Sequence, residues 1–200
     1  MQKIILASNN PGKLREFSQL FAPLNIELLP QKNFAVPEAE EPHATFIENA
    51  LAKARHAARL TGLPALADDS GLVVPALGGA PGVQSARYAG EPKDDLRNNQ
   101  KLIAALNNIA DRRAHYVAVL VLVRHADDPQ PLTGEGEWQG ELITSPRGTA
   151  GFGYDPHFLI PELQLTAAEL ASDEKNRRSH RAQALTQLIG KLAHVASYAL

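Results

Sequence analysis

The sequence contains no cysteine. That excludes a disulfide scaffold, a thiolate-ligated zinc or iron–sulfur site, and a thiol nucleophile, and it fits a reducing, cytoplasmic setting. No Asn-x-Ser/Thr sequon occurs. The longest unbroken apolar run, residues 116–123, falls far short of the roughly 18 residues that a membrane-spanning helix needs, so no membrane partner is expected. Met1-Gln2-Lys3 is followed by only four apolar residues before Ser8, too few for a signal-peptide core. An excess of one charge is also lacking. The 20 Lys+Arg and 22 Asp+Glu give a formal net charge of −2, without the diffuse basic field of a general nucleic-acid binder. The 14 glycines and 14 prolines in 200 residues stay below the roughly 25% of a low-complexity chain. What is present is an apolar fraction of 44%, enough for the core of one domain spanning residues 1–200.

Strand and helix patterns alternate along the chain. Residues 3–7 read as a buried strand. Asn10 then suits an N-cap, with Pro11 at the first helical position, where its missing N–H costs nothing. Leu14, Phe17, Leu20 and Phe21 supply that helix's apolar stripe. Residues 26–29 read as a second strand. Thr45 with Glu48 has the capping-box spacing, and the helix behind it is expected to bury Phe46, Ile47, Ala50, Leu51, Ala54 and Ala58. Residues 64–67 and 72–74 read as two short strands around Asp68-Asp69-Ser70-Gly71. Residues 95–109 read as a helix with Leu96, Leu102, Ile103 and Leu106 inward. Residues 114–124 give the strongest strand signal, a β-branched-rich run of the kind buried on both faces. Residues 132–143 are expected to return antiparallel, and residues 145–156 to form a Gly-rich loop. A last helix from about residue 179 is expected to bury Leu185, Leu188, Ile189, Leu192 and Val195. This mixture argues for an α/β domain with a mixed sheet.

Five segments carry possible chemistry. Ser8-Asn9-Asn10-Pro11-Gly12-Lys13 joins a strand to a helix start, a natural anion site. Its spacing is not that of a Walker A loop, and an ordinary capped helix with a solvated lysine reads the same way. Asp68-Asp69-Ser70-Gly71 offers two acids suited to a hard cation or a general base; a solvated turn has the same composition. Glu38, Glu40 and Glu41 precede the Thr45 helix, where acids also simply complement its dipole. Residues 148–156 combine three glycines, two aromatics and an acid, a loop able to stack a flat ring and bond its edge, or equally a Gly-rich turn with core aromatics. Residues 174–181 hold four cations against one acid at a helix start. Phosphate recognition explains that placement, and so does a solvated basic face. Together the segments match the parts required by a metal-bound nucleoside phosphate.

These segments resemble those of the inosine/xanthosine triphosphate pyrophosphatases. The resemblance runs nearly end to end. It is carried by residues 8–13, Thr45-Phe46-Ile47-Glu48-Asn49-Ala50 with Lys53, Ala67-Asp68-Asp69-Ser70-Gly71-Leu72, Gly78-Gly79-Ala80-Pro81-Gly82 with Ser85-Ala86-Arg87-Tyr88, Phe152-Gly153-Tyr154-Asp155-Pro156, and Glu174-Lys175-Asn176 with Ser179-His180-Arg181. One departure occurs: Glu41-Pro42-His43 stands where that family usually has Glu-Thr-Gly. The resemblance implies a two-lobed α/β domain with a mixed, twisted central sheet flanked by helices and the site in a cleft. It further implies a homodimer, dependence on Mg²⁺, and conversion of ITP, dITP or XTP to the monophosphate and pyrophosphate. On the same resemblance Asp69 is the base that activates water and shares in holding the metal with Glu41 and Asp68. Ser8, Asn9, Asn10, Pro11, Gly12, Lys13, Lys53 and Ser70 line the triphosphate channel. Phe152, Gly153, Tyr154 and Asp155 stack and read the purine, Lys175 lies close to the nucleotide, and His180 and Arg181 address the base edge. Selectivity then follows from a donor facing the C6 carbonyl of hypoxanthine or xanthine, where adenine presents an amino group. A nucleotide-binding sensor without catalysis accounts for the lysines, the Gly loop and the aromatics as well, but not for a second carboxylate beside Asp68. A flat profile over ITP, dTTP and UTP would mark a related pyrophosphatase of modified pyrimidine or methylated nucleotides.

Overall fold

The computed structural model describes residues 2–24 and 26–196, with residues 2 and 193–196 described by backbone only. The strands are β1 (Gln2–Leu6), β2 (Ile26–Pro30), β3 (Ala65–Val73), β4 (Arg113–Val123), β5 (Leu132–Leu142), β6 (Phe158–Ile160) and β7 (Leu165–Thr166). The helices are α1 (Pro11–Phe21), α2 (Phe46–Thr61), α3 (Asp95–Ala105), α4 (Ser172–Arg178) and α5 (His180–Ala196). The strands form one seven-stranded sheet in the order β2-β1-β3-β4-β5-β6-β7. It is mixed: β1 runs parallel to β2, with Ile4 opposite Leu28, and parallel to β3, with Leu6 opposite Leu66. The pairs β5–β6 and β6–β7 are antiparallel. Among the described residues no helix is long and apolar enough to cross a membrane.

Local sequence explains most of these elements. Ile4, Ile5 and Leu6 are all buried, as expected of a parallel strand covered on both faces. β5 does the opposite. Its burial alternates, with Gly134, Gly136, Trp138, Gly140 and Leu142 inside and Glu135, Glu137, Gln139 and Glu141 outside, the period of a half-solvated strand. Gly134 is required by close approach, since a Cβ there would lie 2.0 Å from the Ala184 carbonyl oxygen. In α1 the Asn10 side chain accepts from the N–H groups of Gly12 and Lys13, with Pro11 at the first helical position, as the sequence predicts. At α2 the Thr45 hydroxyl oxygen accepts from the Glu48 N–H, while the Thr45 hydroxyl donates to the Glu48 carboxylate at 2.5 Å.

The chain divides into two compact units. The first comprises Met1–Asp69, Ala118–Gly136 and Arg181–Leu200, the second Ser70–Val117 and Glu137–His180. The core of the first gathers Ile4, Leu6, Phe17, Phe21, Leu66, Leu120 and Leu188. The core of the second gathers Leu72, Leu102, Tyr116, Trp138, Tyr154 and Phe158.

Several expectations need correction. The two short strands predicted around Asp68–Gly71 are one continuous strand, β3. Turn-forming residues are held extended there because each acid finds a buried cation, as described below. Ile47 and Leu96 lie outside rather than inside, 42% and 68% exposed; each sits in the first turn of its helix, beyond the face that packs. α3 stops at Ala105 rather than residue 109, and Asn108 then adopts a left-handed φ of 64°, a conformation that asparagine tolerates and a helix does not continue through. β6, β7 and α4 are short elements without a sequence period long enough to read. Leu185 and Leu188 of α5 are buried, whereas the Val195 side chain lies outside the described residues.

Candidate active site

In the first unit, Asp68 and Asp69 are neighbours on β3, so their side chains leave opposite faces of the strand. The Asp68 carboxylate meets Lys13 Nζ of α1 at 2.6 Å and Arg181 Nε of α5 at 3.5 Å. Lys13 also donates to the Asp68 carbonyl oxygen. Asp69 instead meets Lys53 of α2, whose Nζ lies 2.7 Å from Asp69 Oδ1 and 2.8 Å from Glu41 Oε1. Thus one ammonium bridges two carboxylates, in the position a cation would take between them. The acid pair of the sequence is therefore two separate ionic sites.

The two acids titrate differently. Burial by itself would raise Asp68, but the adjoining Lys13 and Arg181 outweigh it and hold its carboxyl well below the usual range. For Asp69 burial wins: its pKa is raised, although Lys53 and Lys13 pull it down. Burial works against the Lys53 ammonium, yet Asp69 and Glu41 more than offset it and its pKa is raised. Asp69 is thus the more basic carboxylate, and its Oδ2 is buried with no hydrogen-bond partner among the described residues. An oxygen of this kind is costly unless something bonds it in the working state.

That oxygen bears on a metal. No cluster of three or more His, Cys, Asp or Glu able to hold an ion forms among the described residues. A divalent ion such as Mg²⁺ usually takes only one or two protein carboxylates and fills its other positions with water and substrate phosphates. Asp69 and the partly exposed Glu41 fit that pattern; Asp68, committed to Lys13 and Arg181, fits it poorly.

The segment at residues 8–13 is built differently from a bare anion site. The Gly12 and Lys13 N–H groups are taken by Asn10 Oδ1, and the Asn10 N–H by Ser8 Oγ. Asn9 Nδ2 reaches Glu38 Oε1 at 3.5 Å. Lys13 is not solvated: it projects to Asp68 with 15% of its side chain exposed. The loop that carries Pro42 and His43 is tied to α2 by the Asn49 side chain. The His43 N–H donates to Asn49 Oδ1, and Asn49 Nδ2 donates to the His43 carbonyl oxygen.

In the second unit, Asp155 is the hub of the Gly-rich segment. Its Oδ2 accepts from Lys175 Nζ at 2.6 Å and from the Phe152 N–H at 3.0 Å, and its Oδ1 accepts from the Tyr116 hydroxyl at 3.2 Å. Gly151 is needed for this fold-back, since its φ is +78° and a Cβ would lie 2.0 Å from Asp155 Oδ2. Gly153 is bound at both backbone polar groups, donating to Asp95 Oδ2 and accepting from Asn99 Nδ2. Phe152 is half-buried with Lys175 Nζ 5.2 Å from its ring centre. Tyr154, expected to stack on a base, is instead a core residue whose hydroxyl donates to the Ser85 carbonyl oxygen at 2.7 Å. Ser70 is half-buried on β3.

The basic run at residues 174–181 is not one patch: Arg177 and Arg178 stay exposed, while Lys175 and Arg181 are buried. It is split between the end of α4 and the start of α5. Arg177 and Arg178 pair with Glu174 in the last turn of α4, where the dipole favours cations. Lys175 is buried on Asp155, and Arg181 binds Glu16 Oε2 at 2.7 Å as well as Asp68. His180 is buried with its ring parallel to that of Tyr116. Glu16 and Tyr116 were missed by sequence reasoning. Glu16 sits at a solvated position of a helical pattern, and Tyr116 inside an apolar run; neither carries a local signal.

Comparison with known proteins shows the family to which the chain is similar. A family profile described as the Ham1 family matches residues 4–191. The chain is 66% identical over 195 residues to a protein of Ralstonia nicotianae named dITP/XTP pyrophosphatase, covering 96% of this chain and 97% of the relative. It is 62% identical over 193 residues to a protein of Nitrosomonas europaea with the same name, covering 96% and 95%. Among solved structures, a HAM1 protein from Coxiella burnetii superposes with a TM-score of 0.90 at 51% identity, covering 97% of this chain and all of that one.

Proposed function

Because the chain belongs to the Ham1 family, we propose that it hydrolyses nonstandard purine nucleoside triphosphates such as ITP, dITP and XTP to the monophosphate and pyrophosphate. The observation that carries this reading is the state of Asp69: a buried carboxylate of raised pKa, steadied at one oxygen by Lys53 and unpartnered at the other among the described residues. That is the state required of a general base. Asp69 accepts the proton of the water that attacks the α-phosphorus, and the bond to the pyrophosphate oxygen breaks. Little covalent work falls to the protein in such a transfer, so no nucleophilic side chain is needed.

The remaining residues bind and orient. Lys13 and Lys53 neutralise phosphate charge, with residues 8–12 and Ser70 along the triphosphate. Asp68 holds Lys13 in place. Phe152 stacks on the purine, with Gly153, Tyr154 and Asp155 completing the segment that reads it, and Asp155 with Lys175 fixes the loop. His180 and Arg181 donate toward the C6 carbonyl; a guanidinium carries five N–H donors, so it can hold acids and still address a base. Glu41 and Asp69 would hold Mg²⁺, which when bound supplies charge neutralisation at the phosphate oxygens and polarises water. The enzyme is proposed to act as one catalytic domain, as a homodimer in the cytoplasm.

The test is a turnover panel over ITP, dITP, XTP, GTP, ATP and dTTP, with Mg²⁺ and with EDTA, scoring pyrophosphate. Release from ITP, dITP and XTP well above the others, abolished by EDTA, is the expected outcome. Binding of ITP without pyrophosphate would overturn the reading, as would a flat profile.

A further inference from the structure

One buried residue of the second unit touches both groups assigned above to the purine, and nothing so far uses it. Tyr116 on β4 donates its hydroxyl to Asp155 Oδ1 at 3.2 Å. Its ring also lies parallel to the His180 ring, with centroids 4.8 Å apart and an interplanar angle of 11°. Behind it, Phe158 packs at 4.6 Å and 45°, and Trp138 packs on Phe158 at 5.5 Å and 53°. A row of rings thus runs Trp138, Phe158, Tyr116, His180, with Asp155 bonded to the third.

We propose that Tyr116 is a positioning residue for purine selectivity, fixing the plane of His180 and the seat of Asp155 at once. The inference rests on the function proposed above. Two features set Tyr116 apart from an ordinary core aromatic. Its hydroxyl donates to the carboxylate that anchors the Gly-rich segment, whereas that of Tyr154 donates to the Ser85 carbonyl oxygen. Its contact with His180 is stacked, whereas the other ring pairs described here are tilted or edge-on. A stacked neighbour fixes a ring's plane, and an imidazole N–H lies in that plane. Hydrogen-bond strength falls off steeply as the donor tilts from its acceptor. Holding the plane therefore separates a base with a well-placed acceptor from one without. Because Phe158 and Trp138 back the ring, the rigidity of the packed core reaches His180.

The experiment compares wild type with Tyr116→Phe, which keeps the stack and loses the hydroxyl, and with Tyr116→Leu, which loses both. The readout is kcat/KM for ITP divided by that for ATP, whose base lacks the C6 carbonyl, with thermal melting as the control for folding. The ratio is expected to fall about 3- to 10-fold in Tyr116→Phe, the scale of one lost hydrogen bond. It is expected to fall further in Tyr116→Leu. If Tyr116→Leu does not fold, Tyr116→Phe carries the test by the same ratio. A folded Tyr116→Phe whose turnover drops equally on ITP and ATP overturns the proposal and leaves Tyr116 as core packing. A wild-type enzyme with no preference for ITP over ATP would bring down the selectivity reading itself, before any variant is compared.

Discussion

Lys53 Nζ sits 2.7 Å from Asp69 Oδ1, while Asp69 Oδ2, the other oxygen of that carboxylate, is buried without a hydrogen-bond partner among the described residues. One half of the carboxylate is thus anchored and the other left available. Anchoring fixes direction, and availability gives basicity. The consequences for catalysis and stability can be measured separately.

Asp69→Asn keeps the shape of the side chain and removes its capacity to take a proton. We predict that kcat falls at least about 10²-fold, the low end for loss of a general base. Nucleotide binding by calorimetry is expected to change little. Near-normal turnover in this variant would mean that another group accepts the proton.

The raised pKa of Asp69 sets the sign of a pH effect. The base works only when ionised, so activity is present above its folded value and is lost as pH falls through it. Since burial raises that value, the acidic limb of kcat/KM is expected above the 3.8 of an ordinary aspartate. The Lys53 charge pulls the value down, so Lys53→Met is predicted to move the limb to higher pH as well as to slow turnover. A limb that stays in place would show that Lys53 does not tune the base.

Asp68 gives the opposite linkage. Its folded pKa is depressed by Lys13 and Arg181 against the effect of burial. Its contribution to stability is therefore fully present above the ordinary aspartate value and lost as pH falls through the folded one. Lys13→Met leaves the carboxylate buried with its nearest counter-charge gone, a change that costs about 3–5 kcal/mol when a buried pair is broken from one side. Urea melts should show that deficit at neutral pH and a smaller one in acid, where Asp68 protonates. A deficit independent of pH would place the loss in packing, not in charge.

Two glycines of the first unit should respond in opposite directions. A Cβ on Gly134 would lie 2.0 Å from the Ala184 carbonyl oxygen, so Gly134→Ala is predicted to destabilise by about 1–3 kcal/mol or more, as overpacking does. Gly190 in α5 has nothing within 4 Å of that position. Gly190→Ala should stabilise by about 0.5–1 kcal/mol, the helical advantage of alanine over glycine. Thermal melting of the two variants, side by side, decides it.

Much of this was legible in the sequence because it is local. Asn10 and Pro11 announce α1, Thr45 and Glu48 announce α2, and the run at residues 116–123 announces β4, since capping and periodicity involve residues close along the chain. The boundaries that failed were also informative. Asp68–Gly71 reads as a turn by composition, yet ion pairs from α1, α2 and α5 hold it in a strand. The basic run at residues 174–181 reads as one patch, yet a helix break between Arg178 and His180 sends its members to Glu174, Asp155, Glu16 and Asp68.

The sequence by itself determined which residue types are available for chemistry: acids, lysines, a Gly-rich aromatic loop, and no thiol. Only the tertiary structure decided their partners. Strand geometry turns Asp68 and Asp69 to opposite faces, packing makes one a structural anion and gives the other the raised pKa on which its proposed role as base rests, and a ring inside an apolar run stacks on His180. Those roles depend on contacts between residues far apart in the chain, and a charge or a ring acquires its working character from what is packed against it.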